Sequence, residues 1–588
     1  MEQGSRLESM LVADCGSATT RVALIDLVGD EYRLVARGET ATTVEPPWSR
    51  ISLGVKEAIR HLERLTGRVL LSDQEELIVP ERENGSGVDG IVATVNAALP
   101  LRVGVVGLIR EFSVDSMLKA ADCSYVVVDG VVAKDEMIGA VGSERDTQLV
   151  YTDAFKNRPD AILLAGGTDG GAFTPVVEAA RDVAALLSSS EEGGRVHVVF
   201  AGNKEVRSEV ARVLGEYSDL RVVDNVRPAL DTENLGGLEE EISRLYREVK
   251  MARVPGYGEL RSWAAVPVIT TAEGFGAALR YLANLYELDA LAVDVGSTVT
   301  QVTGIMDGRY RSTVLARYGV GYSMSRVLDE VGLDRILRWL PLRMEPSRAR
   351  NLIVNKSLRP MCIPETEEGL LLEQAVAREA MILARERAEG QWLTRNTPFY
   401  QGLVPPVDLI VGRGGVLAEA PSAGQAALML LDGMQPTGVC TLALDQASLL
   451  PQLGALASVQ PVAAAQALAR DGLLRLGTVI ALSGRGTEGS LALKLKVQYD
   501  DGRTLTAEVP YGALEVVPLM AGRRAMVELR PAAEFDIGLA SKGKAATTEV
   551  EGGALGIIID ARGRPLLLSE DEGARRAKIG NWMSELAS

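Results

Sequence analysis

One octapeptide pattern occurs twice in this 588-residue chain, first as Asp14-Cys15-Gly16-Ser17-Ala18-Thr19-Thr20-Arg21. It returns 280 positions later as Asp294-Val295-Gly296-Ser297-Thr298-Val299-Thr300-Gln301. Each copy brings a carboxylate, a glycine and several hydroxyls into a stretch short enough to be one tight turn. Such a turn aims backbone N–H groups at one point, and small residues let it approach a ligand closely, which is the chemistry of phosphate binding. In the first copy Gly16 permits the turn, Ser17, Thr19 and Thr20 add hydroxyl donors, and Asp14 can hold a hydrated magnesium ion beside the phosphates. The second copy supplies Asp294, Gly296, Ser297, Thr298 and Thr300 in the same pattern. One Asp-x-Gly-Ser turn is a common ligand-free hairpin; two copies in matching settings point to two loops on one ligand.

A third segment, residues 408–421, opens with a strand pattern that ends in paired glycines, Gly414 and Gly415. Without side chains there, a nucleotide's sugar or base can lie against the backbone. Residues 163–171 hold a similar glycine-rich stretch, which a compact strand-to-helix turn explains equally well.

The elements that must position these residues repeat too. Each octapeptide follows a short apolar run (10–13; 291–293) and leads into a β-type segment (22–27; 302–306), then a turn at Gly29-Asp30 or Asp307-Gly308. Between the copies, strand patterns at 103–109, 125–128, 161–165, 196–201 and 220–223 alternate with helical ones at 114–121, 147–155, 175–187 and 204–214. That alternation predicts a Rossmann-like parallel unit inserted in the first half. Thr174 is the expected N-cap of its third helix, with Pro175 at the first helical position. Helices are expected at 325–340 and 367–388. The chain then turns β-rich: Leu491, Leu493, Leu495 and Val497 alternate with polar residues, and Asp501-Gly502 turns that strand into 504–510. A second hairpin is expected from 557–559 through 561–564 into 566–568, and a closing helix near 574–586. The expected divisions are 1–90, 91–255, 256–457 and 458–588.

Composition narrows the function. Lys and Arg number 62 against 79 Asp and Glu, a net charge of −17 that disfavours nucleic acid as a partner. The longest apolar runs, such as 161–165 and 426–431, fall far short of the roughly 20 residues that span a bilayer. The N-terminus lacks a basic-then-apolar signal, so a cytoplasmic protein without membrane association is expected. Cys15, Cys123, Cys362 and Cys440 form no C-x-x-C pair, and His61 and His197 are the only histidines. Structural zinc, clustered iron–sulfur sites and imidazole-based catalysis are thereby poorly served. The remaining chemistry rests on carboxylates, hydroxyls and backbone amides.

The two Asp-x-Gly-Ser turns, followed by a strand with paired glycines, resemble the two phosphate motifs and the adenosine motif of the actin, sugar-kinase and heat-shock-chaperone superfamily. That resemblance implies an α/β protein with two ribonuclease-H-like, actin-like ATPase lobes around one nucleotide cleft, here with the Rossmann-like insertion and a β-rich C-terminal domain. The stretches 12–26, 162–171, 199–205, 291–303 and 408–421, in this order, resemble the glutamate mutase L family. Membership implies ATP and Mg2+ as cofactors and a chaperone role as reactivating factor, with the subunits of an adenosylcobalamin-dependent, glutamate-mutase-like enzyme as partners.

Carried over residue by residue, the resemblance makes Asp14 the magnesium-side carboxylate, with Gly16, Ser17, Thr19 and Thr20 on the phosphates. Asp294, Gly296, Ser297 and Thr298 become the second phosphate loop, and Gly414 and Gly415 the adenosine contact. Asp294 is the first choice for orienting an attacking water, with Asp169 and Glu419 as alternatives. A small-molecule kinase and a nucleotide-gated actin-like scaffold remain open on the same fold, as does a homo-oligomer.

Overall fold

The computed structural model describes residues 7–137, 144–189, 195–392 and 402–587. By contacts the chain divides into a large unit, 1–97 with 258–313 and 317–588, and a smaller one, 98–257 with 314–316.

The large unit contains the duplicated motif twice over as architecture. Strands Ser9–Cys15, Thr19–Val28 and Glu31–Ala41 form an antiparallel meander. Gly90–Val95 then pairs parallel to the first of them, and Ile269–Thr270 parallel to Gly90–Val95. The resulting spatial order is third, second, first, fourth, fifth. The second sheet begins with the same order: the meander Ala290–Val295, Thr300–Met306 and Arg309–Leu315, with Leu409–Arg413 parallel to its first strand and Gly438–Leu444 next. Two sheets of ribonuclease-H-like order in one chain are the actin-like ATPase fold, as expected.

The reason these segments are strands is visible in their burial. Ser9–Cys15 and Ala290–Val295 are buried along their whole length, as the central strand of a sheet covered on both faces must be. Helix Thr271–Tyr286, whose capping box joins Thr270 and Glu273, packs Phe275, Leu279 and Leu282 into a core with Val12, Ile25, Ala292 and Leu453.

The second sheet runs on beyond its fifth strand. Leu474–Ala481, Gly556–Asp560 and Leu514–Val517, all from the β-rich tail, bring it to eight strands. The rest of the tail makes a four-stranded antiparallel sheet that includes the expected hairpin, Leu491–Tyr499 with Thr504–Pro510. Leu493, Leu495 and Val497 face its core, but Leu491 does not: the register shifts between Leu491 and Leu493, and this bulge leaves Leu491 exposed.

The expected hairpin at 557–568 does not form. Gly556–Asp560 pairs instead with Leu474–Ala481 and Leu514–Val517. The residues after it are drawn inward because Arg562 and Arg564 are buried against Asp560, at 2.8 and 2.6 Å, and Arg562 also reaches Asp432 at 2.7 Å. Buried cations need buried carboxylates, and that requirement overrides the turn signal. The helix expected over 325–340 is broken at Gly332, which takes φ +77° between Met324–Val331 and Leu333–Leu337.

The smaller unit is a five-stranded parallel sheet in the order Val126–Ala133, Leu101–Gly107, Ala161–Ala165, Val196–Phe200, Ser218–Val222. With helices between successive strands this is the doubly wound arrangement expected of the insertion. Its helix Thr174–Ser188 starts one residue early: Thr174 is its first helical residue, and the N-cap, Phe173, makes no side-chain cap.

Candidate functional site

Each octapeptide folds as the end of one strand, a tight turn and the start of the next. Gly16 N–H donates to the Thr19 carbonyl at 2.9 Å and Gly296 N–H to the Val299 carbonyl at 2.8 Å, so the two turns close identically. In register, Asp14 stands across from Arg21 and Asp294 from Gln301. The two turns meet: Ser17 Oγ and Thr298 Oγ1 lie within hydrogen-bond distance, 3.2 Å.

Behind the turns, the two carboxylates share one cation. Arg413, the last residue of strand Leu409–Arg413, donates from Nη2 to Asp14 Oδ2 at 2.7 Å and from Nη1 to Asp294 Oδ2. Asp445 stands 3.4 Å from its Nε. All four side chains are buried, which makes every partner count, because an uncompensated charge in such a place is expensive. Asp14 is fully engaged, since its Oδ1 accepts from the hydroxyls of Thr94 at 2.8 Å and Thr271 at 2.7 Å. Asp445 accepts from the N–H groups of Leu449 and Leu450. Asp294 differs, because its Oδ1 is buried without any partner among the described residues.

The electrostatics follow. Burial pushes Asp445 up to about 6, against the opposing pull of Arg413 and the two backbone N–H groups. Burial also holds Asp294 above the ordinary carboxylate value; Arg413 opposes this and the charge of Asp14 adds to it. Burial works against the charge on Arg413, yet Asp294, Asp14 and Asp445 together raise its pKa above the usual value. A guanidinium in this position stays protonated.

The remaining expected residues are placed as follows. Thr19 is half-buried at the start of its strand. Thr20 and Thr300 are fully buried, with hydroxyls that have no partner among the described residues, and Thr20 lies against Gly54 of helix Ile51–Thr66. Ser297 Oγ accepts from Tyr322 N–H at 3.1 Å. Gly414 and Gly415 do different things: Gly414 has φ +111° and a Cβ there would overlap the Val295 carbonyl, whereas a Cβ on Gly415 would meet nothing within 4 Å. Gly414 is therefore demanded by packing against the second turn, and Gly415 faces open space. Glu419 is exposed beside helix Gly415–Ala418. Asp169 belongs to the smaller unit, where it accepts from Lys204 N–H and the Asn225 amide.

Sequence reasoning missed Arg413, Thr94, Thr271 and Asp445. Arg413 had a signal: a cation at the end of the apolar run Leu409-Ile410-Val411-Gly412 must find buried carboxylates.

A directly ligated magnesium ion does not fit this arrangement. Each oxygen of Asp14 already has a partner, and among the described residues no group of three or more His, Cys, Asp or Glu side chains is placed to hold a metal. A nucleotide fits better: two hydroxyl-bearing turns meet, and open space lies at Gly415. No helix among the described residues is long and apolar enough to cross a membrane.

A family model described as MutL protein matches residues 10–471, a span that holds both turns and Gly415. Protein MutL of Clostridium tetanomorphum is 25% identical over 448 residues, covering 71% of this chain and 88% of that protein. Among solved structures, a glycerol dehydratase reactivase aligns over 77% of this chain and 100% of its own, with 12% identity and a TM-score of 0.31. Component A of the (R)-2-hydroxyglutaryl-CoA dehydratase of Acidaminococcus fermentans covers 78% and 99%, with 9% identity and a TM-score of 0.26. Likeness at this level carries no argument about function; the fold rests on the strand order of the two sheets.

Proposed function

This chain belongs to the MutL protein family, and on that premise we propose that it binds ATP between its two equivalent turns and acts as a reactivating factor for an adenosylcobalamin-dependent mutase. The observation that carries the reading is the meeting of Ser17 and Thr298 above one guanidinium shared by Asp14 and Asp294.

The residues divide the work. Ser17 and Thr298, which now satisfy each other, are free to turn their hydroxyls to phosphate oxygens. Gly415 leaves room for the sugar or base. Asp294 Oδ1, buried and unpartnered, is the oxygen available to accept a hydrogen bond from an attacking water. Arg413 holds the two turns at a fixed separation, because its Nη groups bond one carboxylate from each. Bound ATP supplies a phosphoanhydride whose cleavage distinguishes two states of the chain. Nucleotide can change affinity for a mutase subunit only if those states bind it differently, typically by about 1–3 kcal/mol.

The test is calorimetry with ATP and ADP on the wild type and on the Ser17→Ala/Thr298→Ala double variant, followed by incubation with inactivated adenosylcobalamin-dependent glutamate mutase and fresh cofactor. ATP binding that the double variant weakens at least tenfold, with ATP-dependent recovery of mutase activity, is expected. A folded chain that binds no ATP, or recovery that ignores nucleotide, overturns the reading.

A further inference from the structure

One stretch of the second lobe is unlike the rest of this acidic chain. From Arg335 through Arg359 there are seven Lys or Arg residues and one acidic residue, Glu345, in a protein of net charge −17. Arg335 and Arg338 pair with Glu379, Arg348 with Glu368 and Lys356 with Glu373. Arg343, Arg350 and Arg359 are exposed and have no ion-pair partner among the described residues. Apolar side chains stand among these free cations. Helix Pro346–Leu358 buries Ala349 and Ile353 but leaves Val354 45% and Leu358 74% exposed; Met361 and Ile363 just beyond it are 46% and 84% exposed.

This apolar surface has a fixed shape. Lys356 Nζ donates to the Cys362 carbonyl at 2.7 Å while pairing with Glu373, and Cys362 N–H closes a turn on the Arg359 carbonyl. The segment also abuts the second turn: Gly321 is packed between Ser297 and Pro360, and Ser325 N–H donates to Ser357 Oγ at 2.9 Å. Leaving two large aliphatic side chains mostly exposed on an anchored segment costs the free chain hydration free energy that a covering partner would recover.

We propose that Val354, Leu358, Met361 and Ile363, rimmed by Arg350 and Arg359, form a docking surface for the acidic, aliphatic face of another protein. Charge selects that occupant. A second copy docked through a two-fold axis would set this patch against itself, guanidinium against guanidinium. An anionic bilayer is an extended plane that repels a chain of this net charge, whereas a protein partner engages the rim inside the roughly 8 Å over which exposed charges act at physiological salt. In sequence the basic stretch ends at Glu365 and Glu367.

The proposal deepens the reading of the chain as a partner-binding factor, but its test needs no nucleotide. The probe is a fluorescein-labelled amphipathic peptide with leucines on one helical face and glutamates on the other; the control replaces the leucines by serine. Saturable binding by fluorescence anisotropy is expected, weakening as salt rises. Leu358→Ser/Ile363→Ser and, independently, Arg350→Glu/Arg359→Glu should each weaken it about tenfold or more, with the thermal midpoint and ATP affinity unchanged. Absence of binding, equal binding of the serine peptide, or indifference to both double variants overturns the proposal. So does dimerisation, or sedimentation with phosphatidylserine vesicles, that these substitutions abolish. A chain that binds the peptide but not ATP defeats the proposed function alone.

Discussion

The two halves of the site begin from nearly the same eight residues and end in different chemistry. In the first sheet the residue in parallel register with Asp14 is Thr94, a short hydroxyl that satisfies Asp14 locally. In the second sheet the residue in register with Asp294 is Arg413, long enough to reach both carboxylates. Asp14 consequently gains three partners and becomes a strut, while among the described residues Asp294 bonds only the guanidinium and keeps one oxygen free. Duplicated loops need not have duplicated roles, because a role is set by the neighbouring strand.

Removing Arg413 should break the comparison most severely. Arg413→Met takes from three buried aspartates the guanidinium they share, and a loss of about 3–5 kcal/mol in denaturant unfolding is expected. A loss within about 1 kcal/mol would show that the two halves do not depend on it.

The aspartates themselves come next. Asp14→Asn should cost about 2–3 kcal/mol, since the charge facing Arg413 disappears from the fully bonded side. Asp294→Asn should cost less than about 1 kcal/mol, because it neutralises a carboxylate that burial already disfavours, and should instead lower ATP turnover by about 100-fold or more with little change in ATP affinity. Equal stability losses and equal turnover for the two variants would erase the distinction between strut and reacting group.

The paired glycines offer a smaller contrast. Gly414→Ala meets both the positive φ and the Val295 carbonyl and should destabilise by about 1–3 kcal/mol. Gly415→Ala should stay within about 0.5 kcal/mol of wild type in stability and yet weaken ATP binding. Unchanged ATP affinity there would place the nucleotide elsewhere.

The weakest effect is a pH dependence. Burial pushes Asp445 up to about 6 from its ordinary value of 3.8, so the native state binds more protons between those values. Its contribution to stability is therefore present at low pH and falls as pH rises through that window. Asp445→Asn cannot titrate, so its stability relative to wild type should climb from pH 4 to pH 7 in paired urea titrations. A flat difference would mean that Asp445 is not forced up by burial.

Much of this was legible in residue order. The strand-turn-strand settings of both octapeptides, the parallel alternation of the insertion and the Leu491–Tyr499 hairpin all follow from local periodicity and turn residues, which act over a few positions. The hairpin at 557–568 failed for the opposite reason: its local signal was adequate, but Arg562 and Arg564 answer to Asp432 and Asp560 in the core.

By itself, then, the sequence determined the duplication: which residues form the turns, where the carboxylates stand in them, and which glycines follow the strand of the third segment. Only the tertiary structure decided that Ser17 would meet Thr298, that Gly414 serves packing while Gly415 faces open space, and that one arginine would join both halves. Turn chemistry is written in neighbouring residues, but a buried charge finds its partners through strand register, and Arg413 lies 399 positions from Asp14. No pattern of short range encodes that distance, and burial alone makes the pairing obligatory.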